Sequence, residues 1–384
     1  MIFGKKEAEE RKVKKIIKED EKKINVAEIK RIAEKLSKCE PLNPLRKYLL
    51  FSVLIASILI LVLSIYLLYV LKGEVSDLVS SCGDKTPDGA CSLRKPYFCS
   101  EGVLVENAIN CGCPENLTKK GNSCISKYQN NSKNITLKYL LRGEESEINF
   151  LVYEDMANYL SGLPKTIHYG EGETPSRSDF KFRNINEAEQ RELLLPLVTE
   201  IQNIANTQED QMRIAISLVQ NIPFGGTREI YRFANGMMEA PRYPYEVLYD
   251  ERGVCGEKSE LLTFLLREIG YGVVIFYYPS ENHESVGIKC PKQYSLKNTS
   301  YCFIETTGPA IITDNGIEYS GGIKLTSQPE MIILSNGDSL KNDLYEYDDA
   351  KDWGKIRDGK AGLFLRNKYS GLKKKYGLVE HYNI

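Results

Sequence analysis

One run constrains this chain before anything else. Tyr48 to Leu71 is 24 residues without a charge. At ~1.5 Å per residue such a helix is about 36 Å long, enough to cross a ~30 Å hydrocarbon layer with some tilt. A helix in a water-soluble core is rarely apolar on every face. Tyr48, Tyr66 and Tyr69 lie near the ends of the run, where amphipathic rings favour the interface. The run therefore predicts a single transmembrane helix over 48–71. Residues 1–47 carry 15 Lys/Arg and 9 Asp/Glu, with Arg46 and Lys47 abutting the run. That excess predicts a cytoplasmic N-terminus and an extracellular C-terminal part. A cleaved signal peptide would have a shorter basic region, a shorter apolar run and a small-residue cleavage site. Beyond the run the net charge is −7, which argues against a nucleic-acid partner.

Cysteine usage points to the same compartment. Nine of the ten cysteines follow the run, as do all four Asn-x-Ser/Thr sequons, at Asn116, Asn130, Asn134 and Asn298. Cys82, Cys91, Cys99, Cys111, Cys113 and Cys124 crowd into 43 residues rich in Gly, Pro, Asn, Asp and Lys. So short a segment cannot bury enough apolar surface to offset its chain entropy. Three disulfides would constrain it instead, in an oxidising space. Six cysteines allow 15 pairings, and the sequence does not choose among them. A zinc module is the alternative, but paired C-x2-C ligand spacing is absent. Cys290 and Cys302 flank a polar loop and could form a fourth bridge. That leaves Cys255 as the one unpaired external thiol.

Cys255 stands at the most suggestive point of the chain. Leu261, Leu262, Leu265, Leu266 and Ile269 recur at helical spacing after it, and Gly270 is a natural stop. The thiol thus falls at a helix N-terminus, where partial positive charge and a nearby imidazolium favour the nucleophilic thiolate. Val273–Tyr278 reads as a buried strand. A second strand opens on His283, and a third, Tyr301 to Glu305, ends on a carboxylate. An imidazole needs a partner on its second nitrogen to fix tautomer and orientation. If the second and third strands pair as a hairpin, His283 and Glu305 become neighbours. One tension follows. A register with His283 directly opposite Glu305 puts Cys290 opposite residue 298, four residues or about 13 Å from Cys302. A disulfide needs Cα atoms within ~7 Å. Both features hold only if the hairpin is bulged or its loop folds back, and the triad is the stronger expectation.

These residues resemble the transglutaminase-like cysteine peptidases, and among them the archaeal membrane-associated members. The resemblance is carried by Tyr243-Pro244-Tyr245-Glu246-Val247-Leu248 before Gly253-Val254-Cys255, by His283-Glu284-Ser285-Val286-Gly287, by Tyr301-Cys302-Phe303-Ile304-Glu305-Thr306-Thr307, and by Val219-Gln220-Asn221-Ile222-Pro223-Phe224 upstream. It covers about residues 195–330. It implies an α+β fold with a papain-like core, in which the helix bearing the cysteine packs on an antiparallel sheet. It implies Cys255 as nucleophile, His283 as general base and acid, and Glu305 as orienting carboxylate. Gln220 is a candidate oxyanion donor beside the Cys255 backbone N–H. Two departures stand out. The third member of the wider family is usually Asp, and the residue after the histidine is usually small, whereas here it is Glu284. The extra charge would raise the histidine pKa or favour a cationic substrate.

The remaining segments are read as follows. Residues 1–47 form a charged cytoplasmic helical segment, in which Val26, Ile29, Ile32, Ala33 and Leu36 make a narrow stripe that reads first as a solvated helix and otherwise as a face for a cytoplasmic partner or anionic lipid. Residues 80–125 are the cysteine-rich stalk module and 126–140 a linker. Residues 141–335 are the transglutaminase-like domain, with helices over Ile148–Leu160 and Asn186–Gln220 and a loop over Pro164–Arg183. Residues 336–384 are a charged tail with one helix, docked on the ectodomain or lying near the membrane. No phosphate loop, metal-ligand cluster or nucleic-acid motif occurs, so no cofactor or metal is expected. The expected function is hydrolysis of peptide or amide bonds in an external protein or peptide through an acyl-enzyme, or acyl transfer if an amine resolves it. The competing expectation is a non-catalytic ectodomain for binding or assembly at the cell envelope.

Overall fold

The computed structural model describes Arg31, residues 52–53, 55–64 and 81–383, apart from 165, 174–175, 227–229, 234–235, 240 and 361. The chain divides into two units, Met1–Leu78 and Val79–Ile384. In the first, residues 52–53 and 55–64 are helical. No helix among the described residues is long and apolar enough to cross a membrane. The rest of the 48–71 run, the charged segment 1–47 apart from Arg31, and Cys39 lie outside the described residues.

The second unit opens with the cysteine-rich module. It holds two small hairpins, β1 (Tyr97–Ser100) with β2 (Val103–Glu106) and β3 (Thr118–Lys120) with β4 (Ser123–Ile125), and a single-turn helix α1 (Ala108–Cys111). Its bridges are Cys82–Cys99, Cys91–Cys111 and Cys113–Cys124. Its own apolar core is only Cys82, Tyr97, Cys99 and Leu104, which is why covalent cross-links are needed.

A long hairpin follows, β5 (Ser132–Leu141) with β6 (Glu144–Tyr153). Its turn is made by Arg142 and Gly143, both at positive φ. Ile135, Leu137 and Tyr139 alternate on one face of β5, and Ile148, Phe150 and Val152 on the same face of β6, all buried. The 126–140 linker is therefore mostly a strand, and 148–153 is strand rather than helix. A period-2 apolar pattern was present in both and was masked by Asn and Glu on the outer face. Four helices come next: α2 (Glu154–Ser161), α3 (Arg177–Ile185), α4 (Ala188–Ile204) and α5 (Gln208–Asn221). Helix α3 lies in the segment expected to be a loop. Thr207, not a continuous helix, separates α4 from α5, and its side chain accepts the Asp210 N–H as an N-cap. A short hairpin, β7 (Ile230–Phe233) and β8 (Gly236–Glu239), precedes α6 (Pro244–Asp250).

The centre of the fold is α7 (Cys255–Ile269) against a four-stranded antiparallel sheet. The strands are β9 (Gly272–Tyr278), β10 (His283–Lys289), β11 (Tyr301–Ile304) and, after the short pair β12 (Glu318–Tyr319) and β13 (Ile323–Lys324), β14 (Glu330–Asn336), in spatial order β11-β10-β9-β14. Leu261, Leu262, Leu265 and Leu266 are fully buried, worth about 1.5–3 kcal/mol each. Helix α7 ends at Gly270, whose φ of 115° is left-handed. One face of the sheet packs with Val273, Ile275, Val286, Ile288 and Ile304 into the main core. The other face buries Val274, Phe276, Tyr278 and Phe303 with Tyr319 and Tyr382. Burial on both faces is why β9 reads as a continuous apolar run. Gly287 is required on the second face, because a Cβ there would meet Val274 Cγ2 at 2.5 Å. Helices α8 (Tyr345–Arg357) and α9 (Leu363–Tyr376) complete the unit, so the tail holds two helices.

The cysteine-rich module is docked rather than a free stalk. Asn203 on α4 exchanges two hydrogen bonds with the Leu104 backbone, at 2.8 and 3.1 Å. Gln211 donates to Gly83 O at 2.7 Å, and a Cβ at Gly83 would collide with Gln202 O. Arg94 reaches Gln202 Oε1 at 2.7 Å and the Glu268 carbonyl in the last turn of α7 at 3.0 Å.

Candidate active site

The β10–β11 register resolves the tension between bridge and triad. Val286 pairs with Ile304, Gly287 with Phe303, Ile288 with Cys302 and Lys289 with Tyr301. Continued outward, that register sets His283 two residues past Glu305 and Cys290 opposite Ser300, two residues before Cys302. Neither pair is directly opposed; each is one diagonal step apart, within reach of long side chains. The Cys290–Cys302 bridge forms, with Cα atoms 5.7 Å apart. At the other end His283 Nε2 lies 3.0 Å from Glu305 Oε2. The register that serves both is midway between those that would favour one.

Each functional side chain is positioned by its local structure. The chain enters α7 alongside the end of α5, with Gly253 N–H donating to Pro223 O at 3.2 Å. Glu257 folds back over the helix start, accepting the Val254 N–H at 3.0 Å and the Arg242 N–H at 2.8 Å. Cys255 is the first helical residue, half-buried, and the only free cysteine among the described residues. His283 and Glu305 are fully buried. Glu305 Oε1 accepts from the Thr306 and Thr307 N–H groups, each at 2.8 Å, and Oε2 from His283 and the Tyr319 hydroxyl. Thr306 also ties this turn to α7, through Ser259 Oγ at 3.1 Å and Cys255 O at 3.4 Å.

The electrostatics favour a charged pair. Burial works against ionisation of Glu305, but the His283 charge and the hydrogen bonds from His283, Tyr319 and Thr307 outweigh it and lower its pKa. Burial also opposes the imidazolium of His283, but the Glu305 charge and the Cys255 side chain raise its pKa. Burial, reinforced by Glu305, keeps the Tyr319 phenol protonated as a donor. The second ring nitrogen of His283, Nδ1, is buried and makes no hydrogen bond of ordinary geometry. With Nε2 committed to Glu305, Nδ1 is the atom left to face the Cys255 thiol.

The linked groups set a pH window for stability. The raised His283 pKa contributes stability that is fully present below its ordinary value of 6.5 and is lost as pH rises. The lowered Glu305 pKa contributes stability that is fully present above 4.5 and is lost as pH falls. The destabilisation caused by Glu305→Gln is therefore expected to be largest between pH 4.5 and 6.5 and to shrink on both sides. Urea midpoints of the two proteins across pH 3–9 check this; a difference that does not vary with pH rejects the ion pair.

Two expectations need correction. Both amide hydrogens of Gln220 are used, on Glu305 O at 2.9 Å and Ala310 O at 3.1 Å, so Gln220 has none to offer an oxyanion. The first-turn N–H groups of α7, from Cys255 onward, have no carbonyl within the helix to bond and are the donors a helix N-terminus provides. Glu284 does not act on His283 as an uncompensated charge. It pairs with Lys181 at 2.6 Å and Arg177 at 2.8 Å. Tyr319 and Lys181 were missed, because each reaches the site from a segment that carries no local motif. Among the described residues no His/Cys/Asp/Glu group is arranged to hold a metal ion. Comparisons with protein-family models, curated proteins and solved structures give no match to this chain.

Proposed function

We propose that the chain is a membrane-anchored, extracytoplasmic thiol enzyme of the transglutaminase-like kind, with a papain-like core, that hydrolyses peptide or amide bonds. The observation that carries this reading is a free thiol at a helix N-terminus, beside a buried imidazole whose pKa it helps to raise and whose far nitrogen is held by a carboxylate. A helix starting at the cysteine and packed on an antiparallel sheet that brings the histidine supports the papain-like core. Four disulfides support an oxidising location.

In this reaction the Cys255 sulfur attacks the substrate carbonyl carbon, and the carbonyl electrons move to oxygen. First-turn N–H groups of α7 stabilise that oxyanion. His283 Nδ1–H gives its proton to the leaving amine as the C–N bond breaks, leaving a thioester. Water then attacks the thioester, His283 takes its proton, and the acid departs as the sulfur is released. An amine in place of water would make the same chain an acyltransferase. Glu305 stays ionised throughout and holds the imidazole in orientation.

The test is alkylation of the native chain by iodoacetamide at pH 7, followed at Cys255 by peptide mass. Rapid labelling is expected, slowed at least about a hundredfold by His283→Ala, the low end of what a positioned base contributes. Equal rates in the two proteins would overturn the enzyme reading and favour a binding role for the ectodomain.

A further inference from the structure

One buried cation is not used by the mechanism above. Lys258 lies one turn after Cys255 on α7 and is fully buried. Its Nζ donates to two backbone carbonyls at the end of α5, Ile222 O at 2.6 Å and Gln220 O at 3.4 Å. Burial drives its pKa down to about 7, against the pull of the Glu305 carboxylate. A buried amine without a carboxylate in contact is costly, and its neutral form is within easy reach at physiological pH. An apolar residue of similar length would avoid that cost, so the donor has a use.

The use follows from what else the end of α5 holds. The Gln220 side chain, at the same point, donates to Glu305 O and Ala310 O. Pro223 O receives the Gly253 N–H, two residues before Cys255. The end of α5 is thus bonded to the helix that carries the thiol and to the strand end that carries the carboxylate. Those two elements also meet directly, through the Thr306 hydrogen bonds at 3.1 and 3.4 Å and through apolar packing of the α7 leucines with Ile304.

We propose that Lys258 and Gln220 are positioning residues that act in series: Lys258 fixes α7 to the end of α5, Gln220 fixes Glu305 to the same point, and together they set the distance between the Cys255 sulfur and the His283–Glu305 pair. This rests on the enzyme reading above. It assigns a physical role to the Val219–Phe224 segment, whose polar Gln220 is buried beside Leu218 and Val219.

The test uses Lys258→Met and Gln220→Met in the full-length chain, which keep length and remove the donors. Both proteins are first shown to be folded by circular dichroism and thermal melting. Each variant is expected to label at Cys255 about tenfold more slowly than wild type, and the double variant no more slowly than either alone. Such non-additivity marks residues acting through one shared contact. The proton resonance of the His283–Glu305 hydrogen bond is expected to shift in both single variants, which a loss of stability elsewhere would not cause. Wild-type labelling rates in folded variants, or single effects that multiply in the double variant, would overturn the proposal. The His283→Ala comparison separates the two failures. If His283→Ala slows labelling and Lys258→Met does not, only the positioning role fails. If neither slows it, the enzyme reading fails as well. Should Lys258→Met not fold, Gln220→Met alone carries the test through the same rate and resonance.

Discussion

Lys181→Met is expected to destabilise the protein by about 3–5 kcal/mol at pH 8, the range for removing one partner of a buried ion pair. Lys181 on α3 is the hub of a buried cluster, with Glu260 Oε1 and Glu284 Oε2 each 2.6 Å from its Nζ. Glu284 keeps Arg177, but Glu260 on α7 has no second cation among its ion pairs. Burial already pushes Glu260 up to about 7, even with Lys181 pulling it down. Without the lysine that carboxyl rises further and escapes its cost by taking a proton. A folded-state pKa above the unfolded one means that folding binds protons, so the variant loses stability as pH rises. The defect should therefore be small at pH 5 and large at pH 8. Urea unfolding at the two values measures it. A variant that loses less than about 1 kcal/mol at both would show that the cluster is solvated rather than buried, the range expected of exposed pairs.

The second large effect concerns the hairpin. Replacing Cys290 and Cys302 by serine is expected to cost about 3 kcal/mol, the chain-entropy value for a loop of about 15 residues. The bridge here has a sequence separation of 12. Stability is only part of the consequence. The bridge pins one end of the β10–β11 pair, and the His283–Glu305 contact pins the other. With the bridge gone, a two-residue slip keeps every side chain on its own face and brings His283 directly opposite Glu305. Labelling of Cys255 should then become heterogeneous, with a fast and a slow fraction. Single-exponential labelling at the wild-type rate in the serine variant would show that the strand pairing needs no such pin.

Those two effects show where the sequence was informative and where it was not. The stripe Leu261–Ile269, the stop at Gly270 and the both-sided strand Val273–Tyr278 were legible because each is a local periodicity. Cys255, His283 and Glu305 were legible from their order along the chain, and His283 and Glu305 do come together. The β5–β6 hairpin was not read, because polar residues on its exposed face resemble a linker when the buried face is not counted separately. Lys181, Lys258 and Tyr319 were not legible for another reason. A charged or phenolic side chain carries no pattern that says it will be buried; only the packing of α3, α5 and the 319 segment around α7 reveals it. Gln220 was singled out for the right neighbourhood and the wrong atoms, since spacing cannot show that both its hydrogens are already taken.

The docking of the cysteine-rich module on the far end of α7 has a mechanical consequence. A 15-residue helix is a stiff rod of about 22 Å, with the Cys255 sulfur at one tip and the Arg94 guanidinium seated on a carbonyl at the other. Arg94 meets the negative end of that rod while its positive end faces the thiol. Loosening the module, by reduction of its bridges or by a cut in its loops, would free the distal tip and let the rod pivot about its buried middle. A fragment trimmed to begin after residue 125 would then hold Cys255, His283 and Glu305 and still lack the contact that fixes the far end of α7.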